Sequence, residues 1–307
     1  MKYLLLLLIP VITEAAPTID YGTVAKHRDY PSVVKISLIH HHNFFGLQEA
    51  GTCTGSLISP KVVLTAAHCV NTFSQNHSSV SLAGDEKGQV LVNGKDHGIK
   101  VVNAYVHPSY GIAKNKYDEA VRIRMSGQFI QMTPEQREKH EKKIQDLALE
   151  MSKVDIAVME LEKSQKILRQ DLARIACNKS LRSGSAIEYA GFGRSRVTDS
   201  LNSNTNYVLL YGKNHLAKNY GGLYMANASS SQQLINSGDS GGPLYSANNA
   251  LDVYGISVLR KDGEMPQEKE SIFVNLTSPA SRQFFQALYQ SRNVSKEVRE
   301  SIGDCSR

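Results

Sequence analysis

The stretch Gly238-Asp239-Ser240-Gly241-Gly242-Pro243 places one serine inside a tight, glycine-rich turn. Glycine adopts backbone angles that other residues avoid and allows another chain to approach closely. Two backbone N–H groups of such a turn can point at one spot, where they stabilise the negative oxygen that develops when a carbonyl is attacked. The turn therefore favours a nucleophilic role for Ser240, although an ordinary surface turn can have the same composition.

Two further stretches supply the residue types that activate a serine. Residues 51 to 70 read GTCTGSLISPKVVLTAAHCV, a β-rich apolar run that leads to His68. Residues 154 to 161 read VDIAVMEL and carry Asp155. Together with the serine turn, these stretches resemble those of the chymotrypsin-like (trypsin-fold) serine proteases. The chain order His, Asp, Ser fits that family and not the subtilisins or the α/β-hydrolases.

The resemblance implies an all-β fold of two six-stranded antiparallel β-barrels with the active site between them. It implies Ser240 as the nucleophile, His68 as the base, and Asp155 as the residue that orients the imidazole. The N–H groups of Gly238 and Ser240 would form the oxyanion hole. The implied protein is a secreted serine endopeptidase that acts on protein or peptide substrates through an acyl-enzyme. The alternative is a catalytically inactive binding or adhesion protein on a protease scaffold.

Short runs of β-forming residues, separated by Gly, Asn, Asp and Pro turns, agree with barrels or sandwiches. They predict strands at residues 33–39, 55–59, 62–66, 90–92, 99–106, 186–191, 206–210, 243–245, 251–258 and 272–276.

The segment between the histidine and aspartate stretches is longer than the resemblance explains, so residues 111–153 are predicted to be a helical insertion. Thr133, Pro134 and Gln136 form a helix-start signal, and a charged helix is expected from Glu135 to Met151. A solvated surface helix is the favoured interpretation, and a rim or exosite beside the cleft is the other. Ser278-Pro279 begins the expected C-terminal helix, and residues 293–307 extend beyond it.

The first residues form a secretory signal: a basic tip, then Leu4 to Ile9, then a small-residue cleavage region. We expect a signal peptide at residues 1–15, a short propeptide at 16–18 and the protease domain at 19–307, secreted to an extracellular or periplasmic space. By resemblance, Ile19 becomes the new N-terminus, and its ammonium pairs with Asp239 on activation. The match is partial because Asp20 and Tyr21 depart from the family pattern.

Four cysteines in an exported chain predict two disulfides. By resemblance, Cys53 bonds to Cys69 and braces the histidine segment. Cys177 and Cys305 are then paired by elimination, with free thiols as the weaker alternative.

By resemblance, Leu234 forms the floor of the S1 pocket, with Ile235 beside it. Ser257 lies in the substrate-pairing strand and supports Asp155, and Leu259 narrows the pocket mouth. An apolar floor cannot pair with a substrate Arg or Lys, so we expect small or medium apolar P1 residues.

The net charge of +6 over 307 residues favours simple solubility. The sequence contains no phosphate-binding glycine loop and no basic patch interleaved with aromatic residues, so we expect no nucleic-acid partner. We also expect no integral membrane segment, no cofactor and a monomer. The run His40-His41-His42 lacks a spaced partner set, so no metal site is expected. Asn-X-Ser/Thr sequons occur at Asn76, Asn178, Asn227, Asn275 and Asn293.

Overall fold

A computed structural model describes most of the chain between Ile19 and Cys305. The described residues are 19, 22–42, 46–71, 78–82, 99–193, 209–228, 233–247, 249–262 and 268–305. The predicted signal peptide and propeptide, the strand predicted at 90–92 and the sequon at Asn76 lie outside them.

Six strands of the N-terminal half form one sheet that closes on itself. The strands are β2 (Val33–His42), β3 (Gly46–Ser59), β4 (Val62–Thr65), β5 (Ser78–Leu82), β6 (Ile99–Val106) and β7 (Ala157–Leu161). All neighbouring pairs are antiparallel, and the order around the barrel is β2-β3-β4-β7-β6-β5. The interior is apolar, since Leu57, Val63 and Val158 are fully buried. This half is the six-stranded barrel that the sequence predicts.

The C-terminal half forms a second sheet, to which the chain's first strand also belongs. Its members are β1 (Thr23–Val24), β8 (Arg174–Ile175), β9 (Ala186–Gly191), β10 (Leu210–His215), β11 (Lys218–Tyr220), β12 (Leu223–Asn227), β13 (Pro243–Ser246), β14 (Asn249–Lys261) and β15 (Glu270–Asn275). The order is β1-β10-β9-β13-β14-β15-β12-β11, and β8 pairs with β14 in parallel.

The predicted all-β fold with two β units is confirmed. Within the described residues the second sheet has nine strands, where six were expected. The sequence predicted no strand at β1, β8, β11 or β12, and the first three of these are two or three residues long. Short strands of this kind carry too few alternating residues to be recognised from the sequence.

Six helices accompany the sheets in the described part of the chain. They are α1 (His68–Asn71), α2 (Tyr110–Arg124), α3 (Gly127–Gln131), α4 (Pro134–Ser152), α5 (Pro279–Gln290) and α6 (Lys296–Ser301). Three-residue 3₁₀ turns occur at His27–Asp29, Arg169–Asp171 and Gly303–Cys305.

The predicted helix of the insertion is confirmed as α4. The Thr133 hydroxyl accepts the Gln136 N–H, and the Gln136 side chain accepts the Thr133 N–H, so the expected capping box is present. His140 is buried and its Nε2 donates to the carbonyl of Ala120 in α2, which holds α2 and α4 together. Helices α2 and α3 also fall in the predicted helical insertion, although the sequence located neither of them individually.

The end of the insertion lies against the second sheet. A Cβ added to Gly221, in the turn between β11 and β12, would lie 3.2 Å from the Lys153 Nζ. The insertion therefore runs from the end of β6 to the second sheet and then directly into Asp155.

The C-terminal residues are part of the packed body. Phe284 and Phe285 of α5 are buried, as are Val298 and Ile302, and all four belong to an apolar cluster that contains residues of both sheets. The Ser59 hydroxyl of β3 also donates to the Glu297 carboxylate, 2.7 Å away. No helix in the described residues is long and apolar enough to cross a membrane.

Both predicted disulfides are present. The Cα atoms of Cys53 and Cys69 are 6.1 Å apart, and those of Cys177 and Cys305 are 5.2 Å apart. The second bond joins residues 128 positions apart in the sequence and attaches the C-terminal extension to the segment between β8 and β9.

Candidate active site

The three predicted triad residues come from both halves of the molecule. His68 begins α1, which follows β4 after two residues. Asp155 precedes β7, the strand that pairs with β4 in the first barrel. Ser240 lies in the loop before β13 of the second sheet. The Thr54 N–H of the first barrel donates to the Ser240 carbonyl oxygen at 2.8 Å, and the Cys69 sulfur lies 3.6 Å from that oxygen. Ser240 therefore lies beside the histidine segment.

His68 and Asp155 form a two-point contact. The Nδ1 atom of His68 is 2.7 Å from Oδ2 of Asp155, and the His68 backbone N–H donates to Oδ1 at 2.8 Å. Asp155 is almost fully buried, whereas 30% of the His68 side chain is exposed. With the carboxylate ionised, Nδ1 carries the proton, so the lone pair of Nε2 is available to accept one.

The protonation of His68 reflects two opposing effects. Burial alone lowers the pKa of an imidazole. The negative charge of Asp155 and its hydrogen bond to the ring have the opposite effect and prevail, so the pKa of His68 lies above its ordinary value of 6.5. The imidazolium that forms when His68 accepts a proton is therefore stabilised by Asp155.

The backbone N–H groups around Ser240 divide into two kinds. Within the described residues, five N–H groups of this loop donate hydrogen bonds: those of Asn236, Ser237, Asp239, Gly241 and Gly242. Those of Gly238 and Ser240 donate none there. Within the described residues, the loop therefore leaves without an acceptor the two N–H groups that the sequence assigned to an oxyanion hole.

Two glycines allow this backbone path. Gly238 has φ of 101° and Gly241 has φ of 82°, a region that residues with a side chain rarely adopt. A Cβ on Gly241 would also overlap the Thr65 hydroxyl and the Thr54 carbonyl of the first barrel. The Gly-Asp-Ser-Gly pattern therefore follows from the turn and from the close approach of the two halves.

The Asp239 carboxylate fixes the loop from inside. Asp239 is 1% exposed, and its Oδ1 accepts the Gly193 N–H at 2.8 Å. Its Oδ2 accepts the Asn236 N–H, also at 2.8 Å. Hydrogen bonds from backbone N–H groups stabilise a buried carboxylate in its charged form.

Thr54 is a second clamp on the same loop, and sequence reasoning missed it. Its hydroxyl donates to the Gly238 carbonyl at 2.8 Å and accepts the Phe192 N–H at 2.9 Å. The only sequence signal is its position directly after Cys53, in the stretch that resembles the histidine segment.

Tyr110 is another neighbour of the site to which the sequence assigned no role. It is 1% exposed at the start of α2. Burial raises the pKa of its phenol, and the charges of Asp155 and Asp118 raise it further. The start of the insertion thus lies near Asp155.

Ile19 lies in the interior of the second sheet. It is fully buried and belongs to an apolar cluster with Tyr189 and Ile235. Burial raises the pKa of Tyr189, with a smaller contribution from the charge of Asp239, so this cluster borders the Asp239 carboxylate. The pairing of an Ile19 ammonium with Asp239 stays a prediction.

The residues assigned to the S1 pocket come from two segments: Leu234 and Ile235 precede Ser240 in the same loop, and Ser257 and Leu259 lie in β14. Leu234 and Ile235 are buried, and Leu259 of β14 is half-buried. Ile235 packs in the core of the second sheet, whereas Leu234 belongs to neither apolar core cluster. A pocket role for Leu234 stays a prediction.

Ser257 differs from expectation. Its backbone holds the serine loop, because its carbonyl accepts the Gly241 N–H and its N–H donates to Gly242. Its hydroxyl is buried and has no hydrogen-bond partner in the described part of the chain. The expected hydrogen bond to Asp155 is therefore not made, since His68 provides the hydrogen bonds described for that carboxylate.

One group of potential metal ligands occurs in the described residues, namely Cys53, His68 and Cys69. The two cysteines are bonded to each other, so neither offers a thiolate to an ion. These three side chains therefore lie close together because the Cys53–Cys69 disulfide braces the segment that carries His68.

A comparison with protein-family models matches residues 19–281 to the trypsin model. The chain belongs to the trypsin family. The matched range contains His68, Asp155 and Ser240 as well as the helical insertion.

Two relatives of this trypsin-family chain illustrate how far it has diverged. The serine protease Hayan of Drosophila melanogaster is 36% identical over 95 residues, which is 30% of this chain and 13% of that protein. This chain thus spans only a small part of that relative's length. A solved structure of a scabies mite inactivated protease paralogue, S-D1, matches with a TM-score of 0.54 at 14% identity. The match covers 83% of this chain and 92% of that one, and it supports the fold alone.

The Thr54 clamp predicts a specific catalytic defect. Thr54→Val keeps the shape but leaves the Phe192 N–H and the Gly238 carbonyl without their partner. We expect Ser240 to react with a fluorophosphonate probe at least about 10-fold more slowly, and the folded state to lose about 1–3 kcal/mol. Thr54→Ser retains the hydroxyl and should restore most of the labelling rate. A wild-type rate in the valine variant would contradict the clamp.

The His68–Asp155 pair predicts the direction of a titration. Nuclear magnetic resonance of the histidine ring protons should give His68 a pKa above 6.5. In Asp155→Asn the raising charge is gone and burial remains, so this pKa should fall below that value. His107 is the internal control: burial lowers its pKa, a hydrogen bond to the Ala280 carbonyl only partly opposes this, and Asp155 does not touch it. An unchanged His68 titration in the variant would exclude the pairing.

Proposed function

We propose that this chain is a secreted serine endopeptidase that hydrolyses peptide bonds through Ser240, His68 and Asp155. The observation that carries the proposal is that the N–H groups of Gly238 and Ser240, on either side of Asp239, donate no hydrogen bond within the described part of the chain. Every other N–H group from Asn236 to Gly242 donates a hydrogen bond within the described residues. Two free donors next to a serine are what a developing oxyanion requires.

In the proposed mechanism, the Ser240 hydroxyl oxygen attacks the scissile carbonyl carbon while His68 Nε2 takes the hydroxyl proton. The carbonyl oxygen becomes negative and accepts the N–H groups of Gly238 and Ser240. Asp155 stabilises the imidazolium through the 2.7 Å contact with Nδ1. His68 then protonates the leaving amine, the C–N bond breaks, and an acyl-Ser240 ester remains. Water, deprotonated by His68, hydrolyses the ester and regenerates the serine.

Secretion is the proposed setting of this reaction. The N-terminal pattern of a basic tip and a short leucine run supports export. Two disulfides agree with an oxidising compartment, because disulfides are rare in reducing ones.

The proposed substrate preference is for apolar P1 residues. Leu234, buried and outside both core clusters, supports an apolar pocket floor. Burying a substrate cation there without a partner would cost several kcal/mol, which corresponds to at least about a 10²-fold loss in kcat/KM. Hydrolysis of a peptide series that differs only at P1 tests the preference. Faster cleavage after Arg or Lys than after Leu or Ala would overturn it.

The alternative function, an inactive binding or adhesion protein, predicts the opposite result for one chemical test. A fluorophosphonate probe forms a covalent bond only with an activated serine. Mature wild-type protein should label at Ser240, and Ser240→Ala should lose both labelling and about 10⁶-fold in kcat while keeping its melting temperature. Wild-type protein that is folded, begins at Ile19 and does not label would favour the binding protein.

Activation is proposed to depend on a free amine at Ile19. Ile19 is buried in the apolar cluster that borders Asp239. A positive charge on its amine would pair with the Asp239 carboxylate, which fixes the serine loop. Protein that begins at Ile19 should be active, and protein extended by Ala16-Pro17-Thr18 should label at least about 10-fold more slowly, because no ammonium can form at Ile19. N-terminal sequencing of both preparations is the control. Equal rates would show that the loop is ordered without this charge.

A further inference from the structure

The described sequons differ sharply in what their asparagines do in the folded chain. The acceptor of an N-linked glycan is the side-chain Nδ2 of Asn in Asn-X-Ser/Thr. Asn178, Asn227, Asn275 and Asn293 are described, although Ser229 of the Asn227 sequon is not. Asn227 is half-buried, which leaves the other three sequons as clear cases.

Asn275 is used by the fold itself. It is 5% exposed, and its Oδ1 accepts both the N–H and the hydroxyl of Thr277, at 2.8 and 2.7 Å. Its Nδ2 donates to the Asn219 side chain. A sugar on this nitrogen would have to enter the packed junction between β15 and α5, so a chain modified at Asn275 cannot reach this structure.

Asn178 and Asn293 are the opposite case. Both are exposed, and within the described residues neither side-chain amide makes a hydrogen bond. Each adjoins a buried anchor, Cys177 and Val294 respectively, so the backbone is held while the side chain faces water. A glycan at either position displaces no contact of the fold.

The sequon serines also take part in the folded structure. The Ser180 hydroxyl lies 3.1 Å from the Tyr224 hydroxyl, and the Ser295 hydroxyl accepts the Val298 N–H as the N-cap of α6. Transfer to the unfolded chain disturbs neither contact, and the folded state then decides which modified chains survive.

We propose that the secreted protein carries N-linked glycans at Asn178 and Asn293 and none at Asn275. This rests on the secretion part of the proposed function. The step is transfer of an oligosaccharide from a lipid pyrophosphate donor to the unfolded chain. The bond from Nδ2 to the sugar C1 forms, the bond from C1 to the pyrophosphate oxygen breaks, Nδ2 loses one proton and the lipid pyrophosphate leaves. No oxidant or reductant is needed.

The fold places these glycans away from the proposed chemistry. Asn178 follows the disulfide-bonded Cys177, and Asn293 lies between α5 and α6. Neither belongs to the loops that carry His68, Asp155 or Ser240. Modification is therefore expected to leave Ser240 as reactive as in the unmodified chain.

The test is site-by-site glycan mapping of the full chain secreted from mammalian cells behind a heterologous signal peptide. Peptide-N-glycosidase in heavy-oxygen water converts each modified Asn to a labelled Asp that peptide mass spectrometry locates. We expect label at positions 178 and 293 and none at 275. Asn178→Gln and Asn293→Gln should each remove one glycan from the intact mass. Asn115→Gln, an exposed asparagine outside any sequon, should remove none.

Each outcome bears on the proposal. An unmodified Asn178 or Asn293, or a glycan at Asn275 in secreted protein, overturns it. Because a heterologous signal peptide directs secretion, the glycan map does not depend on whether residues 1–15 act as a signal. Fluorophosphonate labelling of the same samples measures the reactivity of Ser240 independently of the glycans. Labelling that is lost while the glycan map is as expected would count against the protease proposal alone.

Discussion

The buried carboxylate of Asp239 is the contact on which the proposed site depends. It accepts N–H groups from Gly193 and Asn236, and so joins the strand-end of β9 to the loop that carries Ser240. With that carboxylate in place, the other N–H groups from Asn236 to Gly242 donate hydrogen bonds, whereas within the described residues those of Gly238 and Ser240 donate none. The hydrogen bonds of Asp239 and Thr54 fix the shape of the loop in which these two N–H groups lie.

The same loop is where the two β units meet. Thr54 of the first barrel bonds to both Ser240 and Gly238, and Gly241 has no room for a side chain against Thr54 and Thr65. The histidine is held on the same side by the disulfide between its neighbour Cys69 and Cys53. The proposed catalytic site thus lies where the two sheets meet, and the insertion and C-terminal extension are attached around it. The C-terminal extension packs its apolar residues into the core cluster shared by both sheets, whereas most of α4 is charged and solvated.

Much of this arrangement could be predicted because its signals are local. The serine turn, the histidine and aspartate stretches, the cap of α4 and the cysteines each follow from residue types within a few positions. Helix α2 could not be predicted, because only Tyr110 and Ala120 of its residues are buried and no apolar stripe marks it. The Thr54 clamp depends on residues 138 and 184 positions away, and its hydroxyl looks like any other in the sequence. Ser257 shows the converse, because the resemblance predicted a contact with Asp155, whereas the Ser257 hydroxyl has no hydrogen-bond partner among the described residues.

The most direct measurement of the central claim is a crystal structure of mature protein after reaction with a fluorophosphonate. The account predicts a bond from phosphorus to the Ser240 Oγ. It also predicts that one phosphoryl oxygen accepts both the Gly238 and the Ser240 N–H at about 2.7–3.1 Å, with Asp239 still bound to Gly193 and Asn236. An adduct whose oxygen points to solvent, or a Gly238 N–H turned to an internal acceptor, would contradict the account.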